Sequence, residues 1–207
     1  MKKICTSIAF LTALTSSGFA QENEHGFFAN AAATYTFPGQ DEWESAIGVE
    51  GRIGVGIAGG LRIFGVFGYS SWELDSESDS FEGDTISIDG DAGIVSLGAG
   101  LDYTLMVSDN ASFVFAGSIV YQIVDSDVSI NLTEDSIFNQ SADIDIDDAV
   151  AAFVGVDFLY DISDKLGLFV GGGYLFNLDE PEVSISGFGQ GDSTKFDGAT
   201  IRAGIEF

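Results

Sequence analysis

Hydrophobic and polar residues alternate along most of the chain after residue 26, with the period of two that is typical of a strand with one apolar and one polar face. The alternation is clearest at residues 94–105. From residue 95 on, every odd position is aliphatic or tyrosine and every even position is Ser, Gly, Asp or Thr. The pattern predicts eight antiparallel strands, at residues 27–35, 45–57, 61–72, 94–105, 111–124, 150–160, 166–178 and 199–207.

The connections between these strands alternate in length. Those after the second, fourth and sixth strands are short, at residues 58–60, 107–110 and 161–165. Those after the third, fifth and seventh strands are long and polar, at residues 73–92, 125–148 and 179–192, and the first connection, 36–42, is moderate. Short turns at one end and long loops at the other are typical of a transmembrane β-barrel, whose apolar side chains face lipid and whose polar side chains face the lumen.

The closing stretch, A-T-I-R-A-G-I-E-F at residues 199–207, ends its alternation on Phe207. In this it resembles the last strand of the small outer-membrane β-barrels of Gram-negative bacteria, the OmpA-like, OmpX-like and opacity-type families. The resemblance implies an all-β fold, an eight-stranded antiparallel up-and-down transmembrane β-barrel in the bacterial cell outer membrane. It also implies that Phe207 is an assembly signal for the barrel assembly machinery, and that lipid and lipopolysaccharide surround a monomer.

The first twenty residues have the three parts of a secretory signal peptide. Two lysines follow Met1, a short apolar run occupies residues 8–14, and Gly18 and Ala20 supply the small residues before a cleavage site. We therefore expect residues 1–20 to be a signal peptide and residues 21–207 to form one barrel domain. Cys5 is the only cysteine of the chain, so disulfides are not expected in the mature domain.

The acidic composition limits the classes of partner that the protein is expected to bind. All 33 acidic residues follow residue 20, and five of the seven basic residues remain there, so the expected mature charge is 5 minus 33, or −28. Such a charge would repel nucleic acid, which is therefore excluded as a predicted partner. The 45% hydrophobic content, with 18 Phe and 27 Gly, argues against a disordered chain.

Aromatic residues are predicted to form two belts, one near each end of the strands, as at the two interfaces of a spanning barrel. Phe158 and Phe207 map to the turn end. Trp43, Trp72 and Tyr121 map to the loop end, so these side chains are expected near the lipid surface.

Seven charged residues fall on predicted lumen-facing positions: Arg52, Arg62, Arg202, Glu50, Asp102, Asp157 and Glu206. A buried charge is costly unless it is paired, and the planar guanidinium suits carboxylates. Because eight strands leave an interior just wide enough for side chains to fill, we predict an Arg–carboxylate network that closes the lumen. The alternative is a charged constriction in a narrow, porin-like pore that prefers cations. A soluble lipocalin-like barrel would need the two faces exchanged, with the arginines in water.

The loops carry one candidate metal site. Asp143, Asp145 and Asp147 alternate with isoleucines, so their carboxylates can align as oxygen ligands for Ca²⁺ or Mg²⁺. The stretch lacks the glycine and terminal glutamate of an EF-hand loop, so only weak binding is predicted. No other cofactor is expected.

Enzymatic function is the weaker hypothesis. Residues 54–59 match G-x-G-x-x-G, but a dinucleotide fingerprint must open a helix, whereas a strand is predicted from residue 61. The enzymes among barrels that resemble this one rely on a histidine near the outer leaflet or in the loops, and the single histidine here, His25, precedes the first strand. The predicted protein is therefore not an enzyme, and its acidic extracellular loops serve a structural or adhesive role.

Overall fold

The structure is a computed structural model that describes residues 26–40, 43–74, 77–81, 84–133, 139–185 and 189–207. The predicted signal peptide lies outside these residues and stays a prediction. Twelve strands are present in the described ranges: β1 Phe27–Pro38, β2 Trp43–Ala58, β3 Leu61–Leu74, β4 Glu77–Phe81, β5 Asp84–Ser108, β6 Ala111–Thr133, β7 Asn139–Ile146, β8 Ala149–Ser163, β9 Leu166–Asn177, β10 Glu182–Ile185, β11 Gly189–Ser193 and β12 Gly198–Glu206. Within those ranges, no helix has the length and apolar character needed to cross a membrane.

Eight of the strands close into an antiparallel barrel, in the order β1-β2-β3-β5-β6-β8-β9-β12. The barrel closes where β12 pairs with β1, from Asn30 opposite Glu206 to Pro38 opposite Gly198. Phe207 continues this pairing, because its backbone N–H donates to the carbonyl of Ala29 at 2.8 Å and its carbonyl accepts from Ala29 at 3.1 Å. The predicted eight-stranded up-and-down barrel is confirmed.

The alternating pattern separates lipid-facing from lumen-facing side chains. Ile47 is 66% exposed on the outer surface, whereas Arg52, five positions along β2, is 1% exposed inside. Leu97 and Leu101 of β5 are exposed, while Asp102 is buried. The apolar residues thus lie outside and the charged residues inside, as in a membrane barrel and opposite to a soluble one.

The predicted long loops contain strands. β5 has 25 residues and β6 has 23, and their pairing continues to Thr85 opposite Thr133, past the last contacts that β3 and β8 make with them. β4 adds to β5, while β7, β10 and β11 add successively beside β6. The prediction of long loops at 73–92, 125–148 and 179–192 was therefore wrong, since all three contain strand residues. In the first two, β-branched residues continue the alternation beyond the apolar band.

The expected positions of Trp43 and Trp72 were also wrong. Both indoles lie inside the loop end of the barrel, with 4% and 1% of their surface exposed. Trp72 shares the even positions of Phe64 and Val66 in β3, so its parity directs it inward. Trp43 precedes an irregularity in the β2–β3 register, so counting along β2 misplaces it.

The glycine-rich motif in β2 forms a strand and a turn, as predicted. Gly54 and Gly56 lie in β2, and the chain then turns through Gly59 and Gly60 into β3. Both turn residues have positive φ, 59° and 85°, a conformation that glycine adopts without a steric penalty. No helix follows, so this motif does not form the helix N-terminus of a dinucleotide site.

Candidate functional site

The seven lumen-facing charged residues lie on five barrel strands: Glu50 and Arg52 on β2, Arg62 on β3, Asp102 on β5, Asp157 on β8, and Arg202 and Glu206 on β12. Each takes part in at least one ion pair with another member of the set. Direct pairs divide them into two groups, which we call the Arg202 group and the Arg62 group.

The Arg202 group contains Glu50, Arg52, Asp157 and Arg202. Arg202 holds Asp157 bidentately, with Nε donating to Oδ1 at 2.7 Å and Nη2 donating to Oδ2. Its remaining Nη1 donates to Glu50 Oε1, which also accepts from Arg52 Nε at 2.8 Å. One carboxylate oxygen therefore bridges two guanidinium groups, and this holds two like charges close together.

The Arg62 group contains Arg62, Asp102 and Glu206. Arg62 Nε donates to Asp102 Oδ1 at 2.6 Å and Nη2 donates to Oδ2 at 3.2 Å. Nη1 donates to Glu206 Oε1 at 2.7 Å, which joins β3 to β12 across the two strands between them. Asn30 Nδ2 donates to the other oxygen of Glu206 at 3.5 Å. The guanidinium of Arg62 is thus bonded on all three nitrogens.

Aromatic rings fill the space around the three guanidinium groups. Arg62 lies 3.9 Å from the ring centroid of Phe28, and Arg52 lies 4.7 Å from that of Phe64. Arg202 lies 5.2 Å from the ring centroid of Phe169. At these distances a guanidinium is attracted to the face of the ring. The rings also exclude water, so the carboxylates compete less with solvent for the arginines.

A glycine that sequence analysis missed leaves room for the side chains of Arg202 and Asp157 to meet. Gly171 of β9 is the direct register partner of both Arg202 and Asp157. A Cβ added there would overlap the Asp157 carboxylate. The signal was visible in the G-G-G run at residues 171–173, but its meaning depends on the register of three strands.

A second layer closes the loop end of the lumen. Trp43, Trp72 and Phe196 pack with ring centroids 5.2 to 6.2 Å apart, and Phe196 is completely buried. Ala46, Ala92, Ile94 and Ile146 complete this cluster, which we call the aromatic plug. Its residues carry no charge, so it is an apolar seal above the ion pairs.

Residues 194–197, between β11 and β12, hold Phe196 in the aromatic plug. Phe196 N–H donates to Asn177 Oδ1 at 2.9 Å, and Trp43 Nε1 donates to Thr194 Oγ1 at 3.3 Å. On the outer side, Lys195 Nζ lies 2.6 Å from Glu180 Oε1, and this hydrogen bond lowers the pKa of the exposed Glu180 carboxyl. The segment is therefore anchored both to the barrel wall and to the neighbouring connection.

A small cavity and an open recess border the ion pairs. A cavity of about 10 Å³ lies between the two groups and is lined by Asn30, Arg52, Arg62, Asp102, Asp157, Arg202 and Glu206, with three apolar residues. At the turn end, an open recess of about 370 Å³ reaches Glu206 from Asp109, Asp161 and Asp164. Solvent thus reaches the Arg62 group from the turn end, but meets the aromatic plug at the loop end.

The predicted metal residues are not assembled into a described site. Asp145 lies in β7 and Asp147 follows it, while the side chain of Asp143 lies outside the described residues. In the described part of the chain, no three His, Cys, Asp or Glu residues are grouped to hold a metal ion. Weak calcium or magnesium binding stays a prediction.

Phe207, the predicted assembly signal, has the outward position that was expected of it, and its role in assembly stays a prediction. Phe207 lies at the turn end of β12, and its ring is 48% exposed on the outer surface. The ring is therefore available to a partner before lipid covers it. His25 lies outside the described residues.

Similarity to known proteins is confined to structure. No protein-family model matches the chain, and no curated protein matches it by sequence. The outer-membrane protein OprG from Pseudomonas aeruginosa superposes with a TM-score of 0.60 at 11% identity, covering 87% of this chain and 93% of OprG. A major outer-membrane protein from Thermus thermophilus superposes with a TM-score of 0.51 at 12% identity, covering 87% of this chain and 97% of that one. The chain therefore has the fold of an outer-membrane β-barrel, and with its exposed apolar belt this supports the bacterial outer membrane as its location.

Proposed function

We propose that this protein is a non-enzymatic outer-membrane barrel with a closed lumen, and that its function resides in the acidic strands and loops beyond the membrane. The main support for the proposal is that two different layers of side chains close the same lumen. A layer of ion pairs fills the turn half, and the aromatic plug fills the loop end. A channel for hydrated ions needs a continuous polar path, and the aromatic plug interrupts it.

The extracellular part of the protein projects from the barrel, where partners can bind it. β5 and β6 project past the barrel and are widened by β4 and β7. In the sequence this end carries many carboxylates and one lysine, Lys195. Such a surface favours cationic partners, cations or a cationic host surface, and disfavours anionic ones.

The proposal also includes lipid, lipopolysaccharide and the barrel assembly machinery as partners, and a monomeric state. The exposed aliphatic belt fits lipid, with lipopolysaccharide in the outer leaflet. The outward ring of Phe207 fits a signal for the barrel assembly machinery. Because the barrel is closed and leaves no unpaired edge within the membrane, a monomer suffices.

A narrow, cation-preferring pore is the second candidate. The recess at the turn end, lined by Asp109, Asp161, Asp164 and Glu206, favours it because such a mouth concentrates cations. An enzyme has less support: the sequence holds one histidine and one cysteine, and both precede β1 in the sequence.

Two readouts on the same protein separate these candidates. Proteoliposomes should take up no small cations or sugars, while non-adherent bacteria that express the protein should gain adherence to cells or to a cationic surface. Replacing Asp143, Asp145 and Asp147 with Asn should reduce adherence and leave solute uptake unchanged. Cation uptake at a porin-like rate, with no gain in adherence, would favour the pore and contradict the proposal.

A further inference from the structure

Two buried polar atoms remain without a hydrogen-bond partner between the two ion-pair groups. Arg52 donates from Nε to Glu50, and Asn30 donates from Nδ2 to Glu206. Arg52 Nη2 and Asn30 Oδ1, however, have no partner among the described residues. Arg52 is 1% exposed and Asn30 is 9% exposed. Leaving such atoms unbonded is costly, and more so where the group is charged.

The two side chains belong to neighbouring positions of the lumen wall. Asn30 of β1 is the direct register partner of Arg52 of β2, so both project into the lumen side by side. Both line the same cavity of about 10 Å³. That volume is about the size needed to hold one water molecule.

We propose that this cavity is a binding site for one structural water molecule, which accepts a hydrogen bond from Arg52 Nη2 and donates one to Asn30 Oδ1. Water fits because it is both donor and acceptor. The cavity is lined by three guanidinium groups and three carboxylates, so its lining is balanced in charge and favours neither an anion nor a metal cation over a neutral water. The neighbouring carboxylates offer acceptors for the second water proton.

This water joins the two ion-pair groups. Arg52 belongs to the Arg202 group through Glu50, and Asn30 is bonded to Glu206 of the Arg62 group. The described ion pairs themselves do not connect the groups, so the water makes them one continuous network. Water can enter from the turn end, because Glu206 lines both the cavity and the open recess.

A high-resolution crystal structure of the refolded protein tests the site directly. We expect one density peak within about 2.7–3.2 Å of both Arg52 Nη2 and Asn30 Oδ1. Crystals soaked in bromide should show no anomalous signal there. Absence of a peak between ordered side chains would overturn the proposal, and so would a bromide or metal peak in its place.

An Asn30→Leu variant tests the role of the acceptor. Leucine has a similar size but no polar atom, so the water peak should be lost while the Arg52–Glu50 pair remains. If this variant does not refold, NMR of the unaltered protein in detergent gives an independent test. A cross peak between water and the Asn30 side-chain amide is expected, with none for Gln122, which is 1% exposed and accepts from Asn177, the residue that bonds the backbone of Phe196. Retention of the water in Asn30→Leu, or absence of the Asn30 cross peak, would overturn the proposal.

Discussion

Arg202 of β12 and Asp157 of β8 are bonded bidentately across the strand that separates them. The two residues meet because Gly171 of that strand, β9, lies between them in register and has no side chain. The bidentate ion pair between Arg202 and Asp157 thus depends on Gly171, a residue that has no charge and no side chain. Its replacement by alanine disturbs the pair without removing a charge, and also crowds the backbone carbonyl of Val156.

Gly171→Ala is expected to destabilise the barrel strongly. The added methyl group overlaps the Asp157 carboxylate, which leaves a buried guanidinium partly unpaired when it is displaced. It also overlaps the backbone of Val156 and Asp157, so the β8–β9 pairing is strained as well. Breaking a buried pair costs roughly 3–5 kcal/mol, which is an upper limit if Glu50 retains its bond to Arg202. Urea unfolding of the protein refolded in lipid vesicles measures the loss.

Gly65→Ala is the matched control for this experiment. Gly65 lies in β3 with its exposed side toward lipid, and a Cβ there would have its nearest neighbour at 3.9 Å. Its free energy of unfolding should be unchanged or slightly raised, because alanine lowers the entropy of the unfolded chain. Equal losses in both variants would contradict a specific role for Gly171.

Arg202→Ala is expected to lower the free energy of unfolding by roughly 3–5 kcal/mol, because it leaves Asp157 and Glu50 without their shared cation. Removing Asp157 as well, in Arg202→Ala/Asp157→Ala, should restore part of the loss, since the uncompensated carboxylate is gone. Lys195→Ala, which breaks an exposed pair, should unfold like the unaltered protein. Unchanged stability of Arg202→Ala would place Arg202 outside a closed lumen.

The alternation of residues predicted the barrel because a membrane imposes one rule on every strand. Each outward position must be apolar, so parity alone separates Ile47 from Arg52, and it placed all seven charged residues inside. The lumen obeys no such rule. Parity shows that Arg202 and Asp157 face inward, but only the register reveals that they meet across Gly171.

Beyond the membrane the same rule no longer applies, and sequence prediction became less accurate there. Acidic alternating segments such as residues 84–91 resemble loops by composition, yet they continue the strand pairing of β5 and β6. Phe196 was not identified, because it lies outside any periodic strand and joins the aromatic plug only through the fold of residues 194–197.

Deleting Phe207 is expected to impair assembly more than stability. Its ring faces outward and is not part of the buried core, while its backbone adds one residue to the closing β1–β12 pairing. In cells, less of the truncated protein should reach the outer membrane, while refolding in detergent should still succeed. Phe207→Ala, which keeps the backbone pairing, separates the ring from the chain end. Normal insertion of both variants would contradict an assembly role.

Divalent cations are expected to bind the extracellular strands weakly and collectively. Crowded carboxylates repel one another, and Ca²⁺ or Mg²⁺ relieves that repulsion with an affinity on the order of 10⁻⁴–10⁻³ M. Titration calorimetry at low ionic strength should show calcium uptake that falls when Asp143, Asp145 and Asp147 are replaced with Asn. No calcium uptake by the unaltered protein would contradict the prediction.

The closed lumen is tested most directly by single-channel conductance in planar bilayers. The unaltered protein should give no steady conductance, because the aromatic plug and the ion pairs each block the lumen. Phe196→Ala/Trp72→Ala should still conduct poorly because the ion pairs remain, and adding Arg202→Ala should open a small cation-preferring conductance. Ile47→Ala, a lipid-facing change, should leave the barrel closed. A steady ohmic conductance of the unaltered protein, equal to that of the triple variant, would contradict a lumen closed in two layers.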